Sequence, residues 1–184
     1  MIAQAARAPV RWLAAAGLVA LGVTAVVLVA FGPLLFALYN WIPVSPRPTD
    51  EAMIEHFHAK RPVFDELVAM IRQDRKLERL ATKFSKPEDL ATIGIPPERA
   101  ETYRKLLKEA GVPLGFYNSG RTVMFFYHAS GLSIRGSGKG FLYGEAPLYA
   151  EVVGGDLNEA AVGRRRLFLI RKIDKSWWLQ LDST

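Results

Sequence analysis

The chain contains no cysteine. Disulfides, thiolate nucleophiles, thiolate metal sites and a lipid-modified N-terminal cysteine are therefore all excluded. Histidine is nearly as scarce, with only His56, His58 and His128 among 184 residues. Acidic residues are outnumbered, 18 Asp and Glu against 24 Lys and Arg, for a net charge of +6 and an isoelectric point near 9.7. The longest absence is one of charge, since no charged side chain occurs from residue 12 to residue 39.

A helix rises about 1.5 Å per residue, so ~20 apolar residues span a ~30 Å hydrocarbon layer. The run at 12–39 is longer than that and predicts a transmembrane helix. A cleaved signal peptide would have an apolar region of about 7–15 residues and a small-x-small site; here the run ends in bulky residues. Arg7 and Arg11 before the run, against Arg47, Asp50 and Glu51 after it, place residues 1–11 in the cytoplasm and the remainder outside. A bacterial inner membrane with a periplasmic domain is the expected location. Trp12, Tyr39 and Trp41 suit the two interfaces. Ala16, Gly17, Ala20 and Gly22 leave a homodimer through this segment open.

The predicted domain organisation is an anchor over 1–41, a proline-rich spacer over 42–48, and one α+β domain over 49–184, helical at 49–112 and sheet at 115–182. Three prolines stiffen the spacer. Thr49 then offers an N-cap oxygen, followed by Asp50 and Glu51 in the first turn. Ile54, Phe57, Phe64, Leu67, Val68 and Ile71 recur on one face, predicting an amphipathic helix over 50–74 with a kink or break at Pro62. Pro96 and Pro97 open a second helix over 96–110, which Gly111 and Pro113 end. Five strands are predicted at 121–128, 132–135, 140–143, 166–173 and 177–181, with a hairpin turn at 173–177. Short connections imply an antiparallel meander covered on one face by the two helices. A longer connection at 146–163 has room for a short helical piece.

The most suggestive motif is R-G-S-G-K-G-F at 135–141. A nucleotide-binding loop requires glycine five residues before its Gly-Lys and Ser or Thr after it, between a strand and a helix. Those positions hold Ser133 and Gly140, and no helix follows, so the motif is excluded. A weaker functional reading is an anion nest, in which Gly136, Gly138 and Gly140 expose backbone N–H groups flanked by Arg135 and Lys139. The structural reading is a glycine corner between two strands, and it is favoured because such corners far outnumber anion nests.

Glu55 and His58 have Glu-x-x-His spacing, but the second copy that a di-iron bundle needs is missing. His56 and His58 fall on different helix faces, so no metal site or cofactor is expected. Ser137 stands in the wrong frame for a nucleophile elbow, and no catalytic residue is assigned. Arg164 and Arg166, on one face of a strand, and one ring of the Trp177–Trp178 pair, assigned to Trp178, form a candidate partner surface. Edge protection explains the arginines equally well. Nucleic acid is not an expected partner outside the cytoplasm.

The helix over 53–74, I-P-P-E-R-A-E-T-Y-R-K-L at 95–106, G-L-S-I-R-G-S-G-K-G-F at 131–141 and I-D-K-S-W-W-L at 173–179 together resemble a family of bacterial envelope proteins anchored by one span or by a lipid. The resemblance covers most of the chain after Thr49. It implies an envelope location and carries no activity. The family pattern has Gly-Ser-Ser-Lys-Gly where this chain has Gly-Ser-Gly-Lys-Gly, which loosens any ligand geometry there. The resulting expectation is a non-catalytic, single-pass domain that binds a protein or lipid partner in a support or assembly role. The alternative is a sensor or weak enzyme for a phosphate-bearing envelope ligand, using Arg135, Lys139 and the glycines.

Overall fold

The computed structural model describes residues 31, 46–132 and 135–183, with the backbone alone at 131, 132 and 135. Contacts divide the chain into Met1–Val44 and Ser45–Thr184. The predicted span at 12–39 lies, apart from Phe31, outside the described residues. Among the described residues no helix is long and apolar enough to cross a membrane, so the fold described is an α+β domain without a transmembrane helix.

Helix α1, Asp50–Gln73, begins where Thr49 Oγ1 accepts the Ala52 N–H at 3.3 Å. It runs unbroken through Pro62, against the expected break. That proline lies on the exposed face, so the carbonyl left without its N–H partner can turn to water. Met53, Phe57, Phe64, Leu67, Val68 and Ile71 are all buried, as helical spacing requires. Helix α2, Pro97–Glu109, buries Ala100, Tyr103, Leu106 and Leu107. The Tyr103 hydroxyl and Arg99 Nε both donate to Asp74, the C-cap of α1, at 2.8 and 2.6 Å. A third helix, α3, Leu157–Ala160, is the short piece inside the long connection. A 3₁₀ turn covers Leu90–Ile93.

Among the described residues the sheet has eight strands, not about five: β1 Arg79–Leu80, β2 Ser85–Lys86, β3 Phe116–Asn118, β4 Thr122–Leu132, β5 Arg135–Gly144, β6 Glu151–Val152, β7 Leu167–Asp174 and β8 Trp177–Ser183. Their order is β2-β1-β3-β4-β5-β8-β7-β6. It is mixed, because β6 pairs with β7 in parallel while every other pairing is antiparallel. The expected simple meander fails at β8, which inserts between β5 and β7. The additional strands β1, β2, β3 and β6 are two or three residues long, too short for alternation to show.

One face of the sheet packs on α1. Phe125, Phe141 and Trp177 point there and meet Phe57 and Phe64, with ring centroids 4.9 Å apart for Phe57–Trp177 and 5.0 Å for Phe64–Phe141. Trp177 is buried against the helices as the Trp-Trp alternation requires, and Trp178 faces the other way.

The glycine run is neither a loop nor a corner. Residues 135–141 are the first seven of β5, paired with β4 on one side and, from Ser137, with β8 on the other. A register shift between Phe126 and His128 forms a bulge in β4 opposite Gly140 and Lys139. Bulges bend and twist a strand, and the backbone comes so close here that a Cβ on Gly140 would lie 2.0 Å from the Phe125 carbonyl oxygen. Glycine is a packing requirement at this position. Gly140→Ala should lower stability by about 2 kcal/mol or more through forced backbone displacement. Gly154→Ala, where a Cβ meets nothing within 4 Å, should change it by less than ~0.5 kcal/mol; urea midpoints of the two variants make the comparison.

Candidate functional site

Lys139 alternates with Phe141 and Tyr143 along β5 and so points to the helix-covered face. It is fully buried. Its ammonium forms an ion pair with Asp50 Oδ1 at 2.7 Å and donates to the Pro48 carbonyl at 2.7 Å and to Asn158 Oδ1 at 3.2 Å. Asp50 is also fully buried. Its Oδ2 accepts from the Arg171 guanidinium and from the Leu157 N–H, both at 3.0 Å. Arg171 reaches on to Glu51 at 3.3 Å.

The two helix starts in this cluster cap each other. Asp50, first residue of α1, accepts the first N–H of α3, while Asp156, the N-cap of α3, accepts the Asp50 N–H at 3.3 Å. Asp156 Oδ1 also takes the N–H groups of Asn158 and Glu159 at 2.7 and 3.1 Å. Burial works to raise the Asp156 pKa, but the three backbone donors and the nearby Lys139 outweigh it and hold the carboxyl below its usual range. Asn158 Nδ2 closes the ring on the Pro48 carbonyl at 3.0 Å.

The anion-nest residues therefore divide. The Lys139 ammonium is enclosed among protein oxygens and paired with Asp50. The Arg135 side chain lies outside the described residues; its backbone pairs with Leu132. Gly136, Gly138 and Gly140 lie in strand ladders, with Gly138 facing the Asp182 carboxylate so closely that a Cβ would sit 2.7 Å from it. Burial raises the Asp182 pKa. Ser137 Oγ accepts from Arg47 and contacts Ser130 Oγ, each at 3.1 Å.

The remaining candidates are scattered. Arg164 lies before β7, paired with Glu151 at 2.5 Å, and Arg166 is exposed with a left-handed φ of 53°. Neither belongs to a strand, so the expected shared strand face is not formed. Trp178 is half-buried, its indole N–H donating to the Gly144 carbonyl at 3.1 Å and the Lys172 ammonium 3.8 Å from its ring centre. His56 Nε2 donates to the Ala110 carbonyl at 2.8 Å, fastening α1 to the end of α2, and His58 is exposed. Among the described residues no group of three or more His, Asp or Glu is placed to hold a metal ion.

Sequence reasoning missed Asp50, Arg171, Asp156 and Asn158 as members of one cluster. Asp50 reads as an ordinary first-turn acid, and nothing in the pattern around Arg171 points toward it. The available signal was Lys139 itself, which shares strand parity with Phe141 and therefore had to face the core.

No family model, no curated protein and no solved structure matches the chain.

His128 lies half-buried near this cluster, and its Nε2 has no hydrogen-bond partner among the described residues. Desolvation lowers its pKa, and the positive charges of Arg47 and Lys139 lower it further. The folded chain thus favours neutral imidazole. The unfolded chain, titrating near about 6.5, binds the extra proton, so stability falls as pH falls through that range. Urea unfolding at pH 7.5 and 5.5 should show the loss, and His128→Gln should remove that part of it. Lys139→Met should cost about 3–5 kcal/mol, because Asp50 would keep its burial without its ammonium; the Lys139→Met, Asp50→Asn double variant should recover part of that loss in the same assay.

Proposed function

We propose that this chain is a non-catalytic domain of the bacterial envelope that binds a protein or lipid partner in a support or assembly role. The observation carrying this reading is the surface around the edge strand β6. Leu148 is fully exposed, Tyr149 is 73% exposed, and Val152 and Val162 are also open to solvent. Arg165 and Arg166, just before β7, are exposed as well. Large apolar side chains gathered on one surface mark interaction sites when they are rimmed by polar groups. Strand β6 adds an edge whose outer backbone groups have no neighbouring strand in the sheet order. The charge-free run at 12–39 supports attachment to the inner membrane, with the domain on the periplasmic side.

The alternative, a phosphate sensor at the glycine run, is weakened by the engagement of Lys139 with Asp50, Pro48 and Asn158.

A photo-crosslinking residue in place of Tyr149, in intact cells, tests the leading reading. It should yield one reproducible adduct that is absent from the same residue placed at Glu101 on α2. Leu148→Asp should abolish that adduct. Identical adducts from positions 149 and 101 would overturn the reading.

A further inference from the structure

At the end of the domain where α1 terminates, five cations converge from three separate elements. Arg72 and Arg75 come from the last turn of α1 and the residues just after it, and Arg121 from the turn between β3 and β4. Lys172 and Lys175 come from the β7–β8 hairpin. They line two adjoining hollows of about 660 and 630 Å³ that share Arg72, Arg121 and Tyr143. Among the described residues the one carboxylate on those walls is Glu145.

Several cations elsewhere in the domain, Arg61, Arg99, Arg164 and Arg171 among them, each hold a carboxylate, and others such as Lys60 and Lys108 stand singly without one among the described residues. Among the described residues, none of the five cations of this cleft has a carboxylate within 4 Å. Arg72 at a helix C-terminus complements the helix dipole, but that accounts for one cation and not for the convergence of the others. Two of them are already positioned against rings. The Arg72 guanidinium lies 4.8 Å from the Tyr143 ring centre, and the Lys172 ammonium, on the Trp178 ring, also donates to the Lys175 carbonyl at 2.9 Å.

Like charges held together repel, and a bound anion relieves that repulsion. We infer that this cleft binds a phosphate-bearing group. Phosphate is the favoured chemistry because its oxygens accept forked bonds from two guanidiniums at once and its charge answers more than one cation. The hollows exceed a lone phosphate, and Tyr143 and Trp178 supply apolar surface for whatever carries it. This site is distinct from the glycine run, which lies toward the opposite end of α1, where Lys139 meets Pro48 and Asp50.

Calorimetric titration of the purified full chain with inorganic pyrophosphate tests the inference, alongside flotation with phosphatidylglycerol-containing and pure phosphatidylcholine vesicles. The Arg72→Gln, Arg121→Gln double variant should weaken binding about ten-fold or more, the loss expected from two charge-assisted bonds. The Lys60→Gln, Lys108→Gln variant, equal in charge and remote from the cleft, should weaken it less than two-fold. Thermal midpoints of both variants confirm that each is folded. Cleft-dependent pyrophosphate binding supports the site with a soluble phosphate compound as its source. Cleft-dependent flotation with the anionic vesicles alone supports it with a lipid headgroup. Absence of saturable binding to either probe, or equal weakening by both variants, overturns it.

Discussion

Asp50 keeps a carboxylate where water does not reach, and the surrounding architecture is arranged to answer that one charge. An ammonium from β5, a guanidinium from β7 and a backbone N–H from α3 converge on its two oxygens. A buried charge is tolerated only when its partners are well placed and fully bonded. Here the requirement extends outward: Lys139 must also donate to Pro48 and Asn158, and Asp156 must accept from the backbone of Asp50 itself. The start of the long helix, two strands and the short helix are thereby fixed relative to one another by direction-dependent bonds, whereas the aromatic core beneath them supplies burial with less directional demand.

This organisation separates the ends of the domain by the state of their charges. At the α1 start, cations are enclosed and consumed by structure. At the α1 end, Arg99 is paired with Asp74, but five others face open hollows without carboxylate partners. Around β6, apolar side chains stand in solvent. One basic isoelectric point thus covers quite different situations, and only the fold distinguishes a lysine that holds the protein together from an arginine free to meet something else.

The helices were legible because their periodicity spans many turns: Phe57, Phe64 and Ile71 declare the buried face of α1 without help from the rest of the chain. Strands β7 and β8 were legible for the same reason, whereas the expected strands at 121–128, 132–135 and 140–143 are two long ones, β4 and β5. Strands of two or three residues carry no period, so β1, β2, β3 and β6 exist only through pairings with partners remote in sequence. The glycine run misled differently. Glycine is depleted in strands, and three in five residues argue for a turn, yet Gly138 and Gly140 are in the sheet because Asp182 and the bulged β4 backbone press against them. The buried cluster was hidden because its members lie far apart in sequence, up to the 121 residues between Asp50 and Arg171. The alternation that sends Lys139 inward was visible; what waited for it there was not.

The mutual capping of α1 and α3 also bears on the order in which the chain is completed. Helix α1 leads the domain, but the groups that lock its first turn come from residues 139, 156–158 and 171, close to the C-terminal end of the domain. During vectorial synthesis the helix can form early on local propensity, yet the full set of partners for its Asp50 carboxylate is complete only once β5, α3 and β7 have all emerged. The first element made is among the last to be secured, and a chain released short of Arg171 would lack the guanidinium that shares this carboxylate with Lys139.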